Sequence, residues 1–376
     1  MTEMEPEFRH DPTVTFIVPC YKLGHLLADC ITSILRQTYE DFEILIMDDC
    51  SPDDTAAVAT SFGDPRVMHI RNDPNLGHLH NYNKGIKLAR GKYIWLISAD
   101  DYLRRPYVLR KYVDLLDRHP RVGYVFCSAV GVKDGEETGL LDYSQCEKRD
   151  CIMPGRAWLK RLLKVNMVVA ASGMARRECY EKLSTFPLDM PWAGDWYLWC
   201  LYALHTDVGY FAEPMVCYRE HGLSMTEQLT RTQAAACCAE EIAIPWDIKK
   251  RADAMGLRIV SRDCLRALTL IYAKNLASKR FGLSHPILSL EELEESLRRN
   301  AASDAEGNWV RANVLGLMGS EYYWQGDLAS AAHFYEEALK IEPLMLGVLA
   351  KRALCSLGGT GGFLRTTIRS LSTRLP

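Results

Sequence analysis

The chain has 376 residues, 45 Lys and Arg against 48 Asp and Glu, a formal net charge of −3, and 48% hydrophobic residues. This near-neutral balance argues against a nucleic-acid-binding protein, which normally carries a strong basic excess. No apolar run reaches the roughly 18–20 residues that span a bilayer, and the acidic stretch Met1–Glu7 lacks a signal-peptide core. The 13 cysteines show no Cys-x-x-Cys spacing. We therefore expect a cytoplasmic protein with reduced, buried thiols.

The first part of the chain alternates between strand-like and helix-like periodicity. The predicted strands are Thr13–Pro19, Phe42–Met47, Val67–Arg71, Tyr93–Ser98 and Val122–Cys127. The predicted helices between them are His25–Gln37, Asp54–Phe62, His80–Ala89 and Arg105–Arg118. This alternation predicts an α/β fold, in which a mostly parallel sheet has helices on both faces.

The amino-acid composition of the rest of the chain changes twice. Val130–Arg156 is polar and predicts an irregular surface excursion, whereas Met167–Ala175 and Tyr210–Tyr218 have strand-like composition. A helix is predicted to begin near Asp195. After about Glu227 the composition favours helices only, so we predict an α/β domain over residues 1–226 and an all-α domain over residues 227–376.

Two pairs of acids follow predicted strands. Asp48 and Asp49 come after Phe42–Met47, and Asp100 and Asp101 come after Tyr93–Ser98. The carboxyl ends of strands are where an open α/β sheet binds its ligand. Because adjacent carboxylates repel each other, a positive group usually lies beside them. A divalent cation carrying a diphosphate fits this position, since Mg²⁺ and Mn²⁺ prefer carboxylate and phosphate oxygens.

Five short motifs give the chain a family resemblance. They are Val18-Pro19-Cys20-Tyr21-Lys22, Ile34-Leu35-Arg36-Gln37-Thr38, Asp48-Asp49-Cys50-Ser51, Asn75-Leu76-Gly77 and Ser98-Ala99-Asp100-Asp101. In order and spacing, over roughly residues 13–226, they resemble the family 2 glycosyltransferases of bacterial surface-polysaccharide assembly. The resemblance implies a GT-A fold, a Rossmann-like mixed sheet. It also implies metal-dependent, inverting transfer of a sugar from a nucleoside diphosphate-sugar, most simply a UDP-sugar, to a glycan or lipid-linked acceptor hydroxyl.

The resemblance assigns donor-binding roles to residues at the first strand ends. It implies that Asp49 binds the uracil edge of the donor, and that Pro19 and Tyr21 line the nucleotide pocket. A carboxylate suits the base because it accepts a hydrogen bond from a ring N–H. An Asx turn at Asp49 and core packing of Tyr21 are the structural alternatives. Arg71 presents a fork of donors for a phosphate or a stacking surface for the base, unless it is simply solvated.

The pair Asp100 and Asp101 is the predicted metal and donor site. By resemblance, Asp101 ligates Mn²⁺ or Mg²⁺, and Asp100 approaches the ribose or shares the ion. Many relatives have a third acid two positions earlier, where this chain has Ser98. The alternative is that the pair caps a helix that follows Leu103.

The predicted catalytic base is Asp195, within Trp192-Ala193-Gly194-Asp195-Trp196. Many relatives have Glu-Asp where this chain has Gly194 and Asp195, so the acid expected to act as base is kept. Asp195 is also expected to cap the following helix, which would lower its pKa and keep it ionised. Trp192 is a candidate platform for the acceptor sugar, whereas Trp199 is expected in the core.

An arginine and a histidine near the end of the domain complete the predicted site by resemblance. Relatives commonly carry an Arg and a His at the spacing of Arg219 and His221. A mobile loop carrying either residue would close over the diphosphate of the donor. The alternative for His221 is an ordinary surface histidine.

The helical half contains one stretch, Trp324–Pro343, that is similar to a tetratricopeptide repeat. Ala331 and Ala338 would let two helices approach closely, and Pro343 would end the second helix. A single repeat must pack on neighbouring helices, on a partner or on a second copy, because it cannot bury its own apolar face. A plain helical bundle is the alternative.

The C-terminal tail is basic and amphipathic. From Leu344 onward it has five Lys or Arg and no acid, and Leu364, Ile368, Leu371 and Leu375 recur at helical spacing. Such a helix either binds the inner membrane surface peripherally, near a lipid-linked acceptor, or packs on the bundle.

Two other functions are compatible with parts of this pattern. A nucleotidyltransferase also places acids at strand ends beside a metal, but its first strand is normally followed by a Gly-rich loop, and Cys20–Gly24 has one glycine. A helical adaptor with an inactive catalytic domain is the non-enzymatic alternative. The presence of Asp101 and Asp195 argues against it.

Overall fold

The computed structural model of the protein describes residues 11–222, 224–277 and 286–356. The chain divides after Gln228 into two compact units, which we call the sheet unit and the helical unit. Among the described residues, the sheet unit contains the strands and the helical unit contains helices only. The predicted α/β fold followed by an all-α region is confirmed.

The sheet unit contains ten described strands and the helices between them. The strands are β1 (Val14–Cys20), β2 (Phe42–Asp48), β3 (Val67–Arg71), β4 (Tyr93–Leu96), β5 (Tyr102–Leu103), β6 (Val122–Lys133), β7 (Glu136–Leu140), β8 (Cys151–Met153), β9 (Met174–Arg176) and β10 (Asp207–Arg219). The helices are α1 (Gly24–Leu35), α2 (Thr55–Thr60), α3 (His78–Leu88), α4 (Val108–Arg118), α5 (Gly155–Leu162), α6 (Arg177–Lys182), α7 (Gly194–His205) and α8 (Met225–Thr232), which crosses the division.

The sheet has the strand order β3-β2-β1-β4-β9-β6-β10-β5, with β7 added beside β6 and β8 beside β10. The four strands β3, β2, β1 and β4 are parallel to one another, and β9 is antiparallel to both its neighbours. Since β4 lies on the opposite side of β1 from β2, the strand order reverses at β1. Such a reversal opens a crevice at the carboxyl ends of the strands, where ligands bind in open α/β sheets.

A stack of aromatic rings fixes β4 between the two halves of the sheet. The ring of Trp95 is 5.3 Å from Phe16 and 4.6 Å from Tyr112, and Tyr112 is 5.5 Å from Phe211. The Trp95 indole N–H also donates to the carbonyl of Ala171 at 2.8 Å. All four rings are buried. This packing holds rigid the strand that precedes Asp100 and Asp101.

Two sequence-based expectations about strands were wrong. Residues 130–156 were expected to be irregular, yet β6 continues to Lys133 and pairs with β7 in a hairpin, and β8 adds a short strand. All of β7 is exposed, so its composition shows no strand-like alternation. The predicted strand Met167–Ala175 is instead a 3₁₀ turn over Ala170–Ser172 followed by the short β9.

The helical unit contains α9 (Ala234–Ala254), α10 (Arg258–Ala277), α11 (Leu290–Asn300), α12 (Asp304–Gln325), α13 (Leu328–Ile341) and α14 (Leu346–Ser356). The stretch similar to a tetratricopeptide repeat comprises the end of α12 and all of α13. Ala331 and Ala338 are fully buried between these helices, as the pattern predicts. A repeat array, a protein partner and self-association stay predictions.

The cysteine and membrane predictions have different outcomes. Most of the 13 cysteines are buried, as expected, and their reduced state stays a prediction. No helix in the described part of the chain is both long enough and apolar enough to cross a membrane. Residues 357–376 of the predicted membrane-binding tail, which include its Leu and Ile positions at helical spacing, lie outside the described residues.

Candidate active site

The carboxyl ends of β1, β2, β3 and β4 meet at one edge of the sheet and gather the predicted donor-binding residues. The N–H of Asp49 donates to the carbonyl of Cys20 at 2.9 Å, and the N–H of Ala99 donates to the carbonyl of Pro19 at 3.2 Å. In the parallel register of β2 and β3, Asp48 lies opposite Arg71, which extends this edge to β3. Parallel register therefore brings together residues that are up to 80 positions apart in the sequence.

Asp49 is buried, and its carboxylate organises the loop that leads into α3. Oδ1 accepts hydrogen bonds from Asn72 Nδ2 and Leu76 N, both at 2.8 Å, and Oδ2 accepts from Gly77 N at 2.9 Å. Gly77 has a φ of +81°, a left-handed conformation that suits glycine. Three of about four acceptor positions on the carboxylate are thus used within the protein. Its predicted contact with a base remains a prediction, with one acceptor position left.

Asp48 and Arg71 form an ion pair beside this loop. Oδ2 of the fully buried Asp48 accepts from Arg71 Nη1 at 2.6 Å and from His69 Nε2 at 3.1 Å, while Oδ1 accepts from Ser51 N at 2.8 Å. Burial alone would raise the pKa of Asp48, but these hydrogen bonds outweigh it and hold the pKa below its ordinary value. Arg71 is therefore engaged in structure, although 41% of its side chain remains exposed for a ligand.

Pro19 and Tyr21 flank the end of β1 in different ways. Pro19 is buried within the strand, whereas the Tyr21 side chain is 44% exposed at the edge of the sheet. The ammonium group of Lys22 lies 4.9 Å from the centre of the Tyr21 ring. The core-packing alternative for Tyr21 is wrong, and its ring is available to a ligand at this edge.

Asp100 and Asp101 lie in the turn after β4 and are held by the end of β10. Oδ1 of Asp101 accepts a hydrogen bond from the backbone N–H of Arg219 at 2.9 Å. Oδ2 of Asp100 contacts Nε2 of His221 at 2.9 Å, and the Asp100 carbonyl accepts from Arg219 Nη1 at 3.0 Å. Arg219 and His221 thus both contact the acid pair, and the role of His221 in closing over a diphosphate stays a prediction.

The two carboxylates of this pair have opposite electrostatic environments. Burial opposes ionisation of Asp100, but His221 and the nearby Ser98 hydroxyl outweigh burial and hold the pKa of Asp100 below its ordinary value. Burial, reinforced by the negative charge of Asp100, raises the pKa of Asp101 well above its ordinary value. Asp101 is only 4% exposed. Two such neighbours both ionise readily only when a positive charge lies between them.

The donor set at this pair fits a hard divalent cation that also binds substrate oxygens. Oδ1 of Asp100 is buried and makes no hydrogen bond of normal geometry to the described residues. No group of three or more His, Cys, Asp and Glu side chains in those ranges is arranged to hold a metal by itself. Mg²⁺ is commonly held by one or two carboxylates plus substrate phosphates, so two acids are a sufficient protein contribution.

Asp195 lies in the first turn of α7, near the same cleft. The helix begins at Gly194 with Ala193 as its N-cap, so Asp195 is not the capping residue. Its Oδ1 accepts from Trp196 N at 2.6 Å, and Asn166 Nδ2 is 3.4 Å from Oδ2. Burial outweighs these contacts and raises the pKa of Asp195 from 3.8 to about 6. The expected low pKa is therefore wrong, because desolvation outweighs the hydrogen bonds here.

One side chain lies within electrostatic range of both Asp195 and the acid pair. Tyr82, on α3, has its pKa raised by burial and by the charges of Asp100, Asp195 and Asp101. The same helix holds the segment before Asp195, since Nε2 of His78 contacts the carbonyl of Pro191 at 2.9 Å. Asp195 and the acid pair therefore act on the same side chain, Tyr82.

The tryptophans near Asp195 divide between core and cleft. Trp196 is 3% exposed and donates from its indole N–H to the carbonyl of Leu162 at 2.7 Å. Trp199 is buried with its ring 4.9 Å from that of Tyr124, which confirms that it belongs to the core. Trp192 is partly exposed, and its role as an acceptor platform stays a prediction.

Sequence reasoning missed two contacts of the site. It named His221 as the donor-binding residue of its segment, although Arg219 makes the hydrogen bonds that hold both Asp100 and Asp101. It also missed Asn166, which contacts Asp195 from 29 positions away. The motif Tyr218–Ser224 contained a signal for Arg219, whereas no local pattern marks Asn166.

Comparisons with known proteins agree with this geometry. Residues 15–183 match the family model "Glycosyl transferase family 2". This segment of the chain is thus similar to a family 2 glycosyltransferase domain. The matched segment includes the acid pairs at the ends of β2 and β4 and stops before α7 and the end of β10.

Several bacterial relatives share the first part of the domain. The chain is 39% identical over 94 residues to the uncharacterized glycosyltransferase EpsJ of Bacillus subtilis, covering 24% of this chain and 27% of that one. It is 38% identical over 106 residues to the succinoglycan biosynthesis protein ExoO of Rhizobium meliloti, covering 28% and 30%. The chain thus spans about a third of the length of these relatives. An uncharacterized glycosyltransferase of Haemophilus influenzae is 28% identical over 223 residues, covering 56% and 66%.

Among solved structures, the fold is similar to that of S. aureus TarS, residues 1–349, in complex with UDP. The TM-score is 0.59 at 16% identity, and the match covers 87% of this chain and 91% of that chain. This likeness confirms the predicted GT-A fold of the family 2 domain.

Proposed function

We propose that this protein is a metal-dependent, inverting glycosyltransferase of polysaccharide biosynthesis. It moves one sugar from a nucleoside diphosphate-sugar, with UDP as the carrier, to a hydroxyl group of a glycan or lipid-linked saccharide. The observation that carries the proposal is the position of Asp100 and Asp101 at the carboxyl edge of the parallel strands, within electrostatic range of the same side chain, Tyr82, as Asp195. The name of ExoO, a succinoglycan biosynthesis protein, supports a polysaccharide product.

The donor nucleotide is proposed to bind at the ends of β1, β2 and β3. The base would contact the remaining acceptor position of Asp49, and the exposed Tyr21 ring and Arg71 guanidinium offer stacking and charge at the same edge. Pro19, within β1, would line the same nucleotide site. The structure of TarS in complex with UDP supports UDP as the nucleotide that this fold binds.

Asp100 and Asp101 are proposed to hold the cation, Mn²⁺ or Mg²⁺, together with the donor diphosphate. A bound cation would neutralise the diphosphate as the bond to the sugar breaks. Oδ1 of Asp100, which has no hydrogen bond of normal geometry, is the available protein oxygen. Arg219 and His221 add positive charge beside the leaving group.

Asp195 is proposed to take the proton of the acceptor hydroxyl. As the acceptor oxygen forms its bond to the anomeric carbon, the bond from that carbon to the diphosphate oxygen breaks and the electron pair leaves with the diphosphate. A single displacement of this kind inverts the anomeric configuration. A carboxylate with a pKa of about 6 is ionised at neutral pH and still basic enough to accept the proton, which suits a general base.

The test is UDP release from UDP-glucose, UDP-galactose and UDP-N-acetylglucosamine, measured with and without Mn²⁺. We expect Mn²⁺-dependent UDP release by the wild-type protein, and its loss in Asp101→Asn. The matched control is Asp114→Asn, which removes an exposed acid of α4 that pairs with Arg118. Absence of UDP binding with and without Mn²⁺ would overturn the proposal in favour of an inactive adaptor.

A further inference from the structure

Two tyrosines next to the cleft have no role in the proposed reaction. Tyr143 belongs to a 3₁₀ turn, Asp142–Ser144, that follows β7, and its side chain is 46% exposed. Tyr82 projects from α3 and is half-buried. Within the described residues, neither phenol hydroxyl makes a hydrogen bond of normal geometry. Both features suit residues that contact a ligand rather than the core.

The turn that carries Tyr143 is held firmly even though the ring is exposed. The neighbouring Ser144 is fully buried, and its hydroxyl donates to the carbonyl of Leu141 at 2.6 Å and accepts from Ala129 N at 3.0 Å. The Ser128 hydroxyl also donates to the Ser144 carbonyl at 3.3 Å. An aromatic ring fixed in this way loses little conformational freedom when a ligand packs on it.

Sheet register places this turn beside the acid pair. The turn is attached to Ser128 and Ala129 of β6, and β6 pairs with the end of β10 through Gly131 and Tyr218. The next residue of β10 is Arg219, whose N–H binds Asp101. The charges of Asp101, Glu220 and Asp195 reach Tyr143 and, with burial, raise its pKa to about 12.

Tyr82 lies on α3, a different element from the turn that carries Tyr143. Its ring makes edge contacts with His78 at 5.5 Å and with Phe186 at 5.3 Å. Asn83, the next residue, exchanges two hydrogen bonds with the backbone of Phe186, at 2.8 and 3.0 Å. These contacts fix α3 against the segment before Asp195. Tyr82 is therefore held against the segment that precedes Asp195, within electrostatic range of Asp195 and of the acid pair.

We propose that Tyr143 and Tyr82 form the subsite for the acceptor carbohydrate, with a pyranose ring packed on the Tyr143 face and the Tyr82 hydroxyl bonded to a sugar hydroxyl. The inference rests on the proposed function, because it requires an acceptor hydroxyl beside Asp195. An aromatic face suits the C–H surface of a pyranose, and a hydroxyl within the cleft supplies orientation. The subsite implies that the acceptor is a saccharide rather than a protein side chain.

The experiment measures Mn²⁺-dependent UDP release from the best UDP-sugar donor while adding methyl glycosides of glucose, galactose, N-acetylglucosamine, mannose and rhamnose as acceptors. We expect at least one glycoside to accelerate UDP release by the wild-type protein. Tyr143→Ala should raise the apparent KM of that glycoside about three- to tenfold, while the KM of the donor changes less than twofold. Tyr143→Phe should retain the wild-type acceptor KM, and Tyr82→Phe should raise it.

The matched control is Tyr107→Ala, another exposed tyrosine of the sheet unit, whose charged neighbours are Glu213, Arg105 and Lys111 rather than the cleft acids. An acceptor KM for Tyr143→Ala within twofold of the wild-type value would overturn the subsite. The subsite would also be overturned if no glycoside raised the rate of UDP release above the rate measured without an added acceptor. If the wild-type protein releases UDP from no donor, the proposed function itself fails, and the two failures are thereby distinguished.

Discussion

The backbone N–H of Arg219 donates a hydrogen bond of 2.9 Å to Oδ1 of Asp101, across 118 positions of sequence. A backbone donor keeps its position whatever side chain follows, so β10 fixes one oxygen of Asp101 and leaves the other for a ligand. The Arg219 side chain meanwhile binds the Asp100 carbonyl and, at 2.5 Å, Oδ2 of Asp29 on α1. Arg219 thus joins α1, the turn after β4 and the end of β10.

Arg219→Ala should weaken donor binding far more than it weakens folding. Asp29 is 65% exposed, and pairs with such exposure contribute about 0–1 kcal/mol to stability. Loss of a cation beside the proposed diphosphate site should raise the Kd of UDP with Mn²⁺ about tenfold or more, measured by calorimetry. Arg118→Ala, which removes an exposed arginine of α4, is the control and should leave the Kd unchanged. Equal Kd values for both variants would exclude Arg219 from the donor site.

Asp101→Asn should separate nucleotide binding from metal binding. The substitution keeps the shape of the side chain and an oxygen for the Arg219 N–H but removes the charge that a hard cation requires. We expect Mn²⁺ to strengthen UDP binding by the wild-type protein at least tenfold and to have less than a twofold effect on the variant. Titration of UDP in the presence of Mn²⁺ or EDTA checks this. A variant that responds fully to Mn²⁺ would place the cation elsewhere.

Activity should fall as the pH decreases through about 6, because the base must be ionised and burial raises the pKa of Asp195 to about that value. At saturating donor and Mn²⁺, kcat should approach a tenfold loss per unit well below this pH. Asp195→Asn should reduce kcat about 10²–10⁴-fold at pH 8 while the Kd of UDP stays within twofold. Retained turnover in Asp195→Asn would remove Asp195 from the reaction.

Asp195 should also lower the free energy of unfolding at neutral pH. Since folding raises the pKa of Asp195 from 3.8 to about 6, its favourable contribution is complete below pH 3.8 and is lost as the pH rises through 6. Asp195→Asn should therefore stabilise the protein by about 1–3 kcal/mol at pH 8, and the difference should shrink towards pH 4. Thermal unfolding of both proteins across this pH range checks the sign. A variant that is less stable at pH 8 would contradict it.

The sequence was sufficient for the parts of the fold that depend on local periodicity. Strands β1 to β4 and the acids after them were predictable because buried parallel strands leave continuous apolar runs, and their carboxyl ends meet at one edge. The hairpin of β6 and β7 was not predictable, since exposed β7 is stabilised by pairing with β6 rather than by its own composition.

The environment of each site residue was harder to predict than its identity. The position of Asp195 followed from a motif, but its raised pKa depends on burial created by distant elements, including Asn166. Likewise, the sequence paired Asp100 with Asp101 but did not show that Arg219 and His221 would hold them from the end of β10. Such contacts depend on sheet register across more than a hundred residues.

Two glycines of the helical unit give a paired test of its packing. A Cβ atom on Gly319, within α12, would lie 2.7 Å from the Tyr335 ring of α13, whereas a Cβ on Gly347, within α14, would meet nothing within 4 Å. Gly319→Ala should therefore destabilise the unit by about 1–3 kcal/mol through overpacking. Gly347→Ala should stabilise it by up to about 1 kcal/mol, because alanine favours helix. Urea unfolding of both variants, followed by circular dichroism, measures the two signs. A neutral Gly319→Ala would show that α12 and α13 separate easily, and would argue against the close helix pairing that a tetratricopeptide-like repeat requires.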